Sequence, residues 1–291
     1  MNEPTDQQLF GLIFEEEDKA LAERMAPKGR HFEIPSRVME RLGYRSFILG
    51  GAGKPPVLTR IERLHARLYR TEDVGIGGLH GGVFMFRGIF GRFYIPISYG
   101  AVMIDPFKLT DFSDDQLRWI GTRQEDVENY IDQFAHVFDF AGGAYGLGGY
   151  APPPKPALDM FRLAGFQFQA AAATLSAAFD ARGAIQSSLI GTELALKAGL
   201  LASGSTEAQI KSHSHNLKSA ATELATRYAS FDLASVLATV DAFPAYVANR
   251  YSSEQPDHFE SGEIAMGAQF VAGEVMRSVT GGDFRSKLVK G

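Results

Sequence analysis

The chain has 291 residues, of which 45% are hydrophobic and 22% charged, and its formal net charge is -5 at pH 7. This composition is typical of a globular protein of about two domains, and the acidic balance disfavours a broad nonspecific phosphate-binding surface. The absence of cysteine excludes disulfides and thiolate metal sites, and no apolar run reaches the ~18 residues that span a bilayer. We therefore expect a cytoplasmic protein without membrane contact.

The first half of the chain predicts a small α+β domain over residues 1–141. Apolar residues recur at helical spacing within 57–69. The glycine-rich stretch 75–82 is expected to be a turn, with a ligand loop that carries His80 at its tip as the alternative. Residues 83–98 are rich in Phe, Ile, Tyr and Val and are interrupted by glycine, which predicts two strands joined by a tight turn.

The phenylalanines of these strands are expected to form a core, and a surface that docks a partner is the alternative; they are Phe84, Phe86, Phe90 and Phe93. Residues 101–104 predict a further short strand. Ser113, with Gln three residues later, predicts a helix through 120, and Thr122 predicts the start of another that runs to about 140.

Glycine and proline dominate residues 142–156. These residue types do not favour continuation of a helix and weaken a strand. We therefore predict a linker here that separates the α+β domain from an all-helical second half.

The second half predicts a helical bundle over 157–282. The apolar pattern places its helices at 157–180, 183–202, 215–230, 233–249 and 261–280. Pro244 is expected to kink the fourth helix or to end it early, and Gly281 to end the fifth. The tail 283–291 is expected to be frayed.

Two polar groups stand out in this half. Glu193 precedes Lys197 by four residues, the favourable order for an ion pair, although the glutamate lies on the apolar side of its helix. A structural pair is the first interpretation and a ligand-facing role the second. His213 and His215 suggest a metal site, but side chains two positions apart on a helix diverge, so we expect no metal.

In these segments the second half resembles the HEPN family (higher eukaryotes and prokaryotes nucleotide-binding domains). Residues 193–197, Glu-Leu-Ala-Leu-Lys, are similar to that family's Glu-x-x-Leu-Lys helix. Residues 215–217, His-Asn-Leu, resemble its Gly-His-Asp-Leu segment, with Ser214 in place of the glycine, and Arg250-Tyr251 matches a frequent Arg-Tyr pair. The resemblance covers about residues 157–255.

The resemblance implies a helical bundle that forms a homodimer around a shared groove. Many members are metal-independent ribonucleases that use an Arg-x(4–6)-His motif with a polar residue after the arginine. The candidate catalytic pair here is Arg250 and His258, but seven residues separate the two, Tyr251 replaces the polar residue, and Pro256 interrupts the segment. Cleavage of RNA is therefore left open.

We accordingly expect a noncatalytic nucleotide- or RNA-binding and dimerisation module, with an accessory α+β domain and no cofactor. The residues expected to line its groove are Lys197, His213, His215, Arg250 and Tyr251. A metal-independent ribonuclease of a toxin or phage-defence type is the first alternative. A structural or interaction protein without a ligand is the second.

Overall fold

The computed structural model describes residues 3–47, 53–70, 78–97, 102–147, 149–178, 180–245 and 254–288. The described chain is mostly helical, with one two-stranded antiparallel sheet in its first half. None of its helices combines the length and hydropathy that crossing a membrane requires. The chain forms two compact units, residues 1–77 and 78–291, which we call unit 1 and unit 2.

The described part of unit 1 contains α1 (Asp6–Ala22), α2 (Pro27–Arg41) and α3 (Pro56–Ala66). Thr5 begins α1 with a capping box, in which its hydroxyl accepts from the Gln8 backbone and the Gln8 side chain accepts from the Thr5 backbone. The apolar stripes of the three helices form one core. Helix α3 confirms the helix that was predicted over 57–69.

Unit 2 begins with a β-hairpin. Strands β1 (His80–Phe86) and β2 (Ile89–Ile95) pair in antiparallel register, from His80 opposite Ile95 to Phe86 opposite Ile89. Arg87 and Gly88 form the turn with φ of 52° and 79°, and positive φ at both positions matches the twist of a hairpin. This confirms the two predicted strands. The expected aromatic core is also present, because Phe84, Phe86 and Phe93 are buried.

Helices make up most of the rest of unit 2. A short 3-10 helix covers Pro106–Lys108. The α-helices that follow are α4 (Asp114–Ile120), α5 (Gln124–Tyr145), α6 (Lys155–Ala177), α7 (Arg182–Ala202), α8 (Glu207–Ser212), α9 (Leu217–Arg227), α10 (Leu233–Asp241), α11 (His258–Thr280) and α12 (Arg285–Leu288). Helix α7 packs against α6 and α11, and α11 packs in turn against α5, so the four longest helices share one body.

The glycines after residue 141 do not stop α5. The helix runs through Gly142 and Gly143 to Tyr145 and ends where Gly146 adopts φ of 74°. A β-carbon at Gly143 would lie 2.0 Å from the sulfur of Met276, so glycine here allows close packing of α5 on α11. The expectation that no helix continues past 141 is therefore wrong for residues 142–145, because tertiary packing overrides the weak helix propensity of glycine.

The division into units differs from the predicted domain boundaries. Residues 142–156 lie inside unit 2, and the boundary falls after residue 77. The hairpin and α5 thus belong with the later helices, because β1 packs against α5, α6 and α11. Composition misled the prediction, since a stretch rich in glycine and proline indicates a turn but not which helices pack on either side of it.

Two further local predictions are wrong. Residues 102–104 form no strand, and Tyr94 of β2 donates its backbone N–H instead to Leu109. The predicted frayed tail contains α12, and Phe284 is buried against Phe138, with ring centroids 4.2 Å apart. By contrast, α10 ends at Asp241, before Pro244, as the proline predicts.

Candidate functional site

A surface pocket of about 190 Å³ lies between α7, the first turn of α9 and the residues that follow α10. Two residues singled out in the sequence, Glu193 and His215, line this pocket. The rest of its lining is Leu189, Asn216, Leu217, Lys218, Val240, Phe243, Pro244 and Ala245.

The turn from α8 to α9 brings His215 to the pocket. Ser214 adopts a left-handed φ of 50°, which breaks the helical path after His213. Asn216 then caps α9, since its side-chain oxygen accepts from the Ser219 backbone at 3.0 Å. Leu217 and Lys218, the first residues of the new helix, therefore present the positive end of its dipole at the pocket wall.

Glu193 organises the polar side of the pocket. One of its carboxylate oxygens lies 2.6 Å from Nζ of Lys197 and the other lies 2.8 Å from Nδ1 of His215. The side chains of Glu193 and Lys197 are each 15% exposed, whereas His215 is 55% exposed. Helix α7 thus holds the carboxylate that fixes the imidazole of the neighbouring turn, and the expected Glu193–Lys197 pair is present.

The remaining polar side chain of the wall is also paired. Lys218 forms an ion pair with Asp241 at the end of α10. Beside it lies an apolar shelf formed by Leu189, Leu217, Val240 and Phe243. The pocket thus combines an apolar wall with a helix N-terminus and the exposed side chains of His215 and Lys218, which suits a small ring-containing ligand with an anionic group.

His213 lies away from this pocket, although it was expected to line the groove. Its side chain is buried, with Nε2 at 2.9 Å from Glu223 and Nδ1 at 2.8 Å from the hydroxyl of Ser219. Because both ring nitrogens are engaged, His213 ties the end of α8 to α9. His213 and His215 contact different carboxylates, and within the described parts of the chain no three His, Asp or Glu side chains are placed to hold a metal ion.

Of the predicted catalytic pair, Arg250 and His258, only His258 lies within the described residues. Arg250 and Tyr251 lie outside the described residues. His258 is the first residue of α11, and its Nε2–H donates to the carbonyl oxygen of Gly88 at 2.6 Å. Its ring lies 4.7 Å from that of Phe90, measured between centroids, so His258 packs on the hairpin.

Some residues at this site were not identified from the sequence, either because a local signal was overlooked or because their position depends on tertiary packing. Asn216 stands before an apolar pattern, so its role as a helix cap was readable from the sequence. Asp241 and Phe243 carry no such signal, because their place at the pocket depends on how α10 packs on α9 and α11. His80, the alternative ligand-loop residue, is buried in β1, and burial lowers its pKa to about 3.

Comparison of this chain with protein-family models, with curated proteins and with solved structures finds no match.

Proposed function

We propose that unit 2 is a noncatalytic, HEPN-like module that binds a nucleotide or RNA at the Glu193–His215 pocket and forms a homodimer through its helical body. The observation that supports the binding proposal most strongly is the position of His215 and Lys218 at the N-terminus of α9, beside an apolar shelf. The Glu-Leu-Ala-Leu-Lys motif supplies the carboxylate that holds the histidine in place.

The geometry suits part of a nucleotide. Phe243 and Leu217, both half-buried, offer an apolar surface for a base, and the first turn of α9 offers backbone N–H groups and Lys218 to a phosphate. A volume of about 190 Å³ is smaller than the roughly 300–1,000 Å³ of pockets that enclose whole ligands. The pocket therefore fits one base or one phosphate, and the rest of the ligand would lie along the surface.

Binding without cleavage fits the contacts of His258 better than catalysis does. A general base must have a ring nitrogen within reach of the proton that it removes. The Nε2 atom of His258 instead donates to Gly88 and its ring packs on Phe90, so only Nδ1 is left to act as a base. The metal-independent ribonuclease and the structural protein without a ligand stay predictions, and intact RNA after prolonged incubation with the protein would count against the ribonuclease.

The test is calorimetric titration of the full-length chain with ATP and, separately, with a short single-stranded RNA. The full chain is required because α5, before residue 156, packs against α11, after it. We expect His215→Ala and Lys218→Ala each to weaken binding by roughly 10-fold, the loss of one charged contact. The matched control is Lys211→Ala, because Lys211 is an exposed lysine on α8 that pairs only locally with Glu207.

Salt dependence distinguishes the RNA contacts. If Lys218 contacts a phosphate, Lys218→Ala lowers the dependence of log affinity on log salt by about 0.7 for a single strand. Wild-type protein that binds neither ligand at millimolar concentration, or Lys218→Ala protein that binds as wild type does, would contradict the proposal.

A further inference from the structure

Helix α6 has a second apolar face that the described chain leaves exposed. Its buried face, which includes Phe161, Phe168 and Leu175, packs into unit 2. On the opposite side Leu163 is 53% exposed and Phe166 is 59% exposed. Three exposed alanines continue this second face, which we call the α6 stripe, at the alternating three- and four-residue spacing of a helix-packing seam: Ala170, Ala173 and Ala177.

The α6 stripe itself carries no charge, and the exposed Arg162 directly precedes it. No Asp, Glu, Lys or Arg occurs from Leu163 to Phe179, although a helix face in water normally carries such residues. The charged residues of the helix are confined to its first turns, where Lys155 pairs with Asp159. Exposed apolar residues in a continuous row, with no charge among them, indicate a surface that another protein covers.

The stripe is complementary to itself. When two copies of α6 run antiparallel about a two-fold axis at position 168, residues whose numbers add to 336 face each other. Phe166 then faces Ala170 of the second copy, and Leu163 faces Ala173. Each large side chain thus meets a small one, which is the arrangement that fills a helix interface without voids or clashes. A parallel pair would place Phe166 against Phe166 and leave gaps between the alanines.

We infer that the partner of the α6 stripe is a second copy of this chain, packed antiparallel through α6 in this register. The inference rests on the homodimer in the proposed function and specifies its interface, but it does not depend on the pocket. From Leu163 to Ala177 the stripe is about 21 Å long at 1.5 Å per residue. A single helix pair of this size falls below the ~1,200 Å² of strong interfaces, so the dimer dissociates on dilution.

Sedimentation velocity of the full chain between ~1 and ~300 μM tests the interface, a range chosen for a weak interface. We expect a monomer at the low end and a dimer at the high end. Ala170→Glu places a charge opposite Phe166 of the second copy, so it should shift the midpoint upward at least 10-fold. The matched control is Ala238→Glu, because Ala238 is an exposed alanine on α10, away from the stripe. Circular dichroism verifies that both variants fold.

The register is tested by cross-linking, since the chain contains no cysteine and an introduced one is unique. Phe166→Cys protein mixed with Ala170→Cys protein should form a disulfide-linked dimer under mild oxidation, faster than either protein alone. Leu163→Cys mixed with Ala173→Cys should do the same. Leu163→Cys mixed with Phe166→Cys is the control, because these positions share the face but lie seven residues out of register.

The outcomes separate the inference from the proposed function. A dimer that Ala170→Glu leaves intact would overturn the α6 interface and retain the homodimer. A monomer at every concentration would overturn both. Equal cross-linking in the in-register and out-of-register mixtures would overturn the register, and ligand binding at the pocket is measured independently of all three.

Discussion

His258 and Gly88 are joined by a hydrogen bond of 2.6 Å across 170 positions of the chain. The histidine begins α11, and the glycine forms the turn of the β-hairpin. A β-carbon at Gly88 would lie 3.0 Å from the ring of Phe259, so the turn approaches the start of α11 closely. A residue whose type and position suggested catalysis thus anchors the hairpin to the longest C-terminal helix.

His258→Ala should therefore lower stability. The substitution removes one hydrogen bond and the ring contact with Phe90. We expect the free energy of unfolding to fall by about 1 kcal/mol, the usual net value of a neutral hydrogen bond, as measured by urea denaturation. RNA binding should not change. An unaltered unfolding midpoint combined with lost activity on RNA would instead restore the catalytic hypothesis.

Asp139 is the polar centre of unit 2, and its replacement should be severe. The buried carboxylate accepts from the Tyr150 hydroxyl at 2.5 Å, from Arg277 at 2.9 Å and from the backbone N–H of Phe284 at 2.8 Å. Asp139→Ala leaves Arg277 paired with Glu274 but removes its second carboxylate and the acceptor of Phe284, so we expect a loss of about 3 kcal/mol, the low end for a broken buried pair. Tyr150→Phe removes a single hydrogen bond and should cost only about 1 kcal/mol. Similar losses for the two variants would show that Asp139 is not the centre of this network.

Gly273 allows α11 to lie directly against α5. A β-carbon at this position would meet the backbone of His136, at 2.8 Å from its carbonyl oxygen and 2.9 Å from its α-carbon. A side chain can relieve a clash by changing rotamer, but the backbone of His136 cannot. Gly273→Ala must therefore move α5 and α11 apart. We expect thermal unfolding to show a destabilisation of roughly 1–3 kcal/mol or more.

The control for this glycine lies in unit 1. Gly11 is an exposed helical residue of α1, and a β-carbon there would meet nothing within 4 Å. Gly11→Ala should stabilise unit 1 by about 0.5–1 kcal/mol, because alanine has the higher helix propensity. If both substitutions stabilise the protein, the close approach of α5 and α11 is absent in solution.

Two histidines should make unit 2 sensitive to acid. Burial lowers the pKa of His80 to about 3, and burial together with the charges of Arg277 and Arg285 lowers the pKa of His136 to about 3. Both are neutral in the folded state, whereas the unfolded chain binds a proton at each below pH ~6.5. Stability is therefore full above pH ~6.5 and falls as the pH drops towards 3, by about 1.4 kcal/mol per pH unit for each group.

Urea denaturation at several pH values checks this expectation. At pH 5.5 the two histidines together should cost about 3 kcal/mol relative to pH 8. His80→Leu removes one titrating group, so it should halve the part of the slope that the histidines contribute, whatever its effect on stability at neutral pH. An unchanged slope in this variant would mean that His80 is accessible to protons in the folded state.

Local signals predicted α3, the hairpin and most helices after residue 113, but α1, α2 and α8 were not predicted, and the strand predicted over 101–104 is not present at 102–104. The capping box at Ser113, the glycine at the hairpin turn and the terminal Gly281 each act through neighbours in sequence, and each feature is present. The capping box at the start of α1 is a local signal that was missed, whereas other missed features depend on distant residues. Gly143 stays helical because Met276 lies against it, and no pattern around residue 143 reports that contact.

The candidate site divides in the same way. Glu193 and Lys197 lie four residues apart on one helix, so their ion pair was predictable from the spacing. The contact of Glu193 with His215 joins α7 to the turn before α9, and no spacing in the sequence predicts it. His213 and His258 show the opposite case, because each has a side-chain type suited to chemistry and each is engaged by residues that the sequence could not place beside it.

The packing of α11 on α5 also determines when unit 2 can fold during synthesis. Helix α5 leaves the ribosome more than one hundred residues before α11. The backbone N–H of Phe284, which donates to Asp139, is synthesised 145 residues after that aspartate. Until then the side of α5 that packs on α11 is uncovered, although the hairpin already covers another part of the helix, and such partly exposed nascent segments are prone to aggregate and to engage chaperones. The described helices of unit 1 have all been synthesised once residue 77 has emerged, so unit 1 can fold early, whereas unit 2 can fold only after α11 and Phe284 have been synthesised.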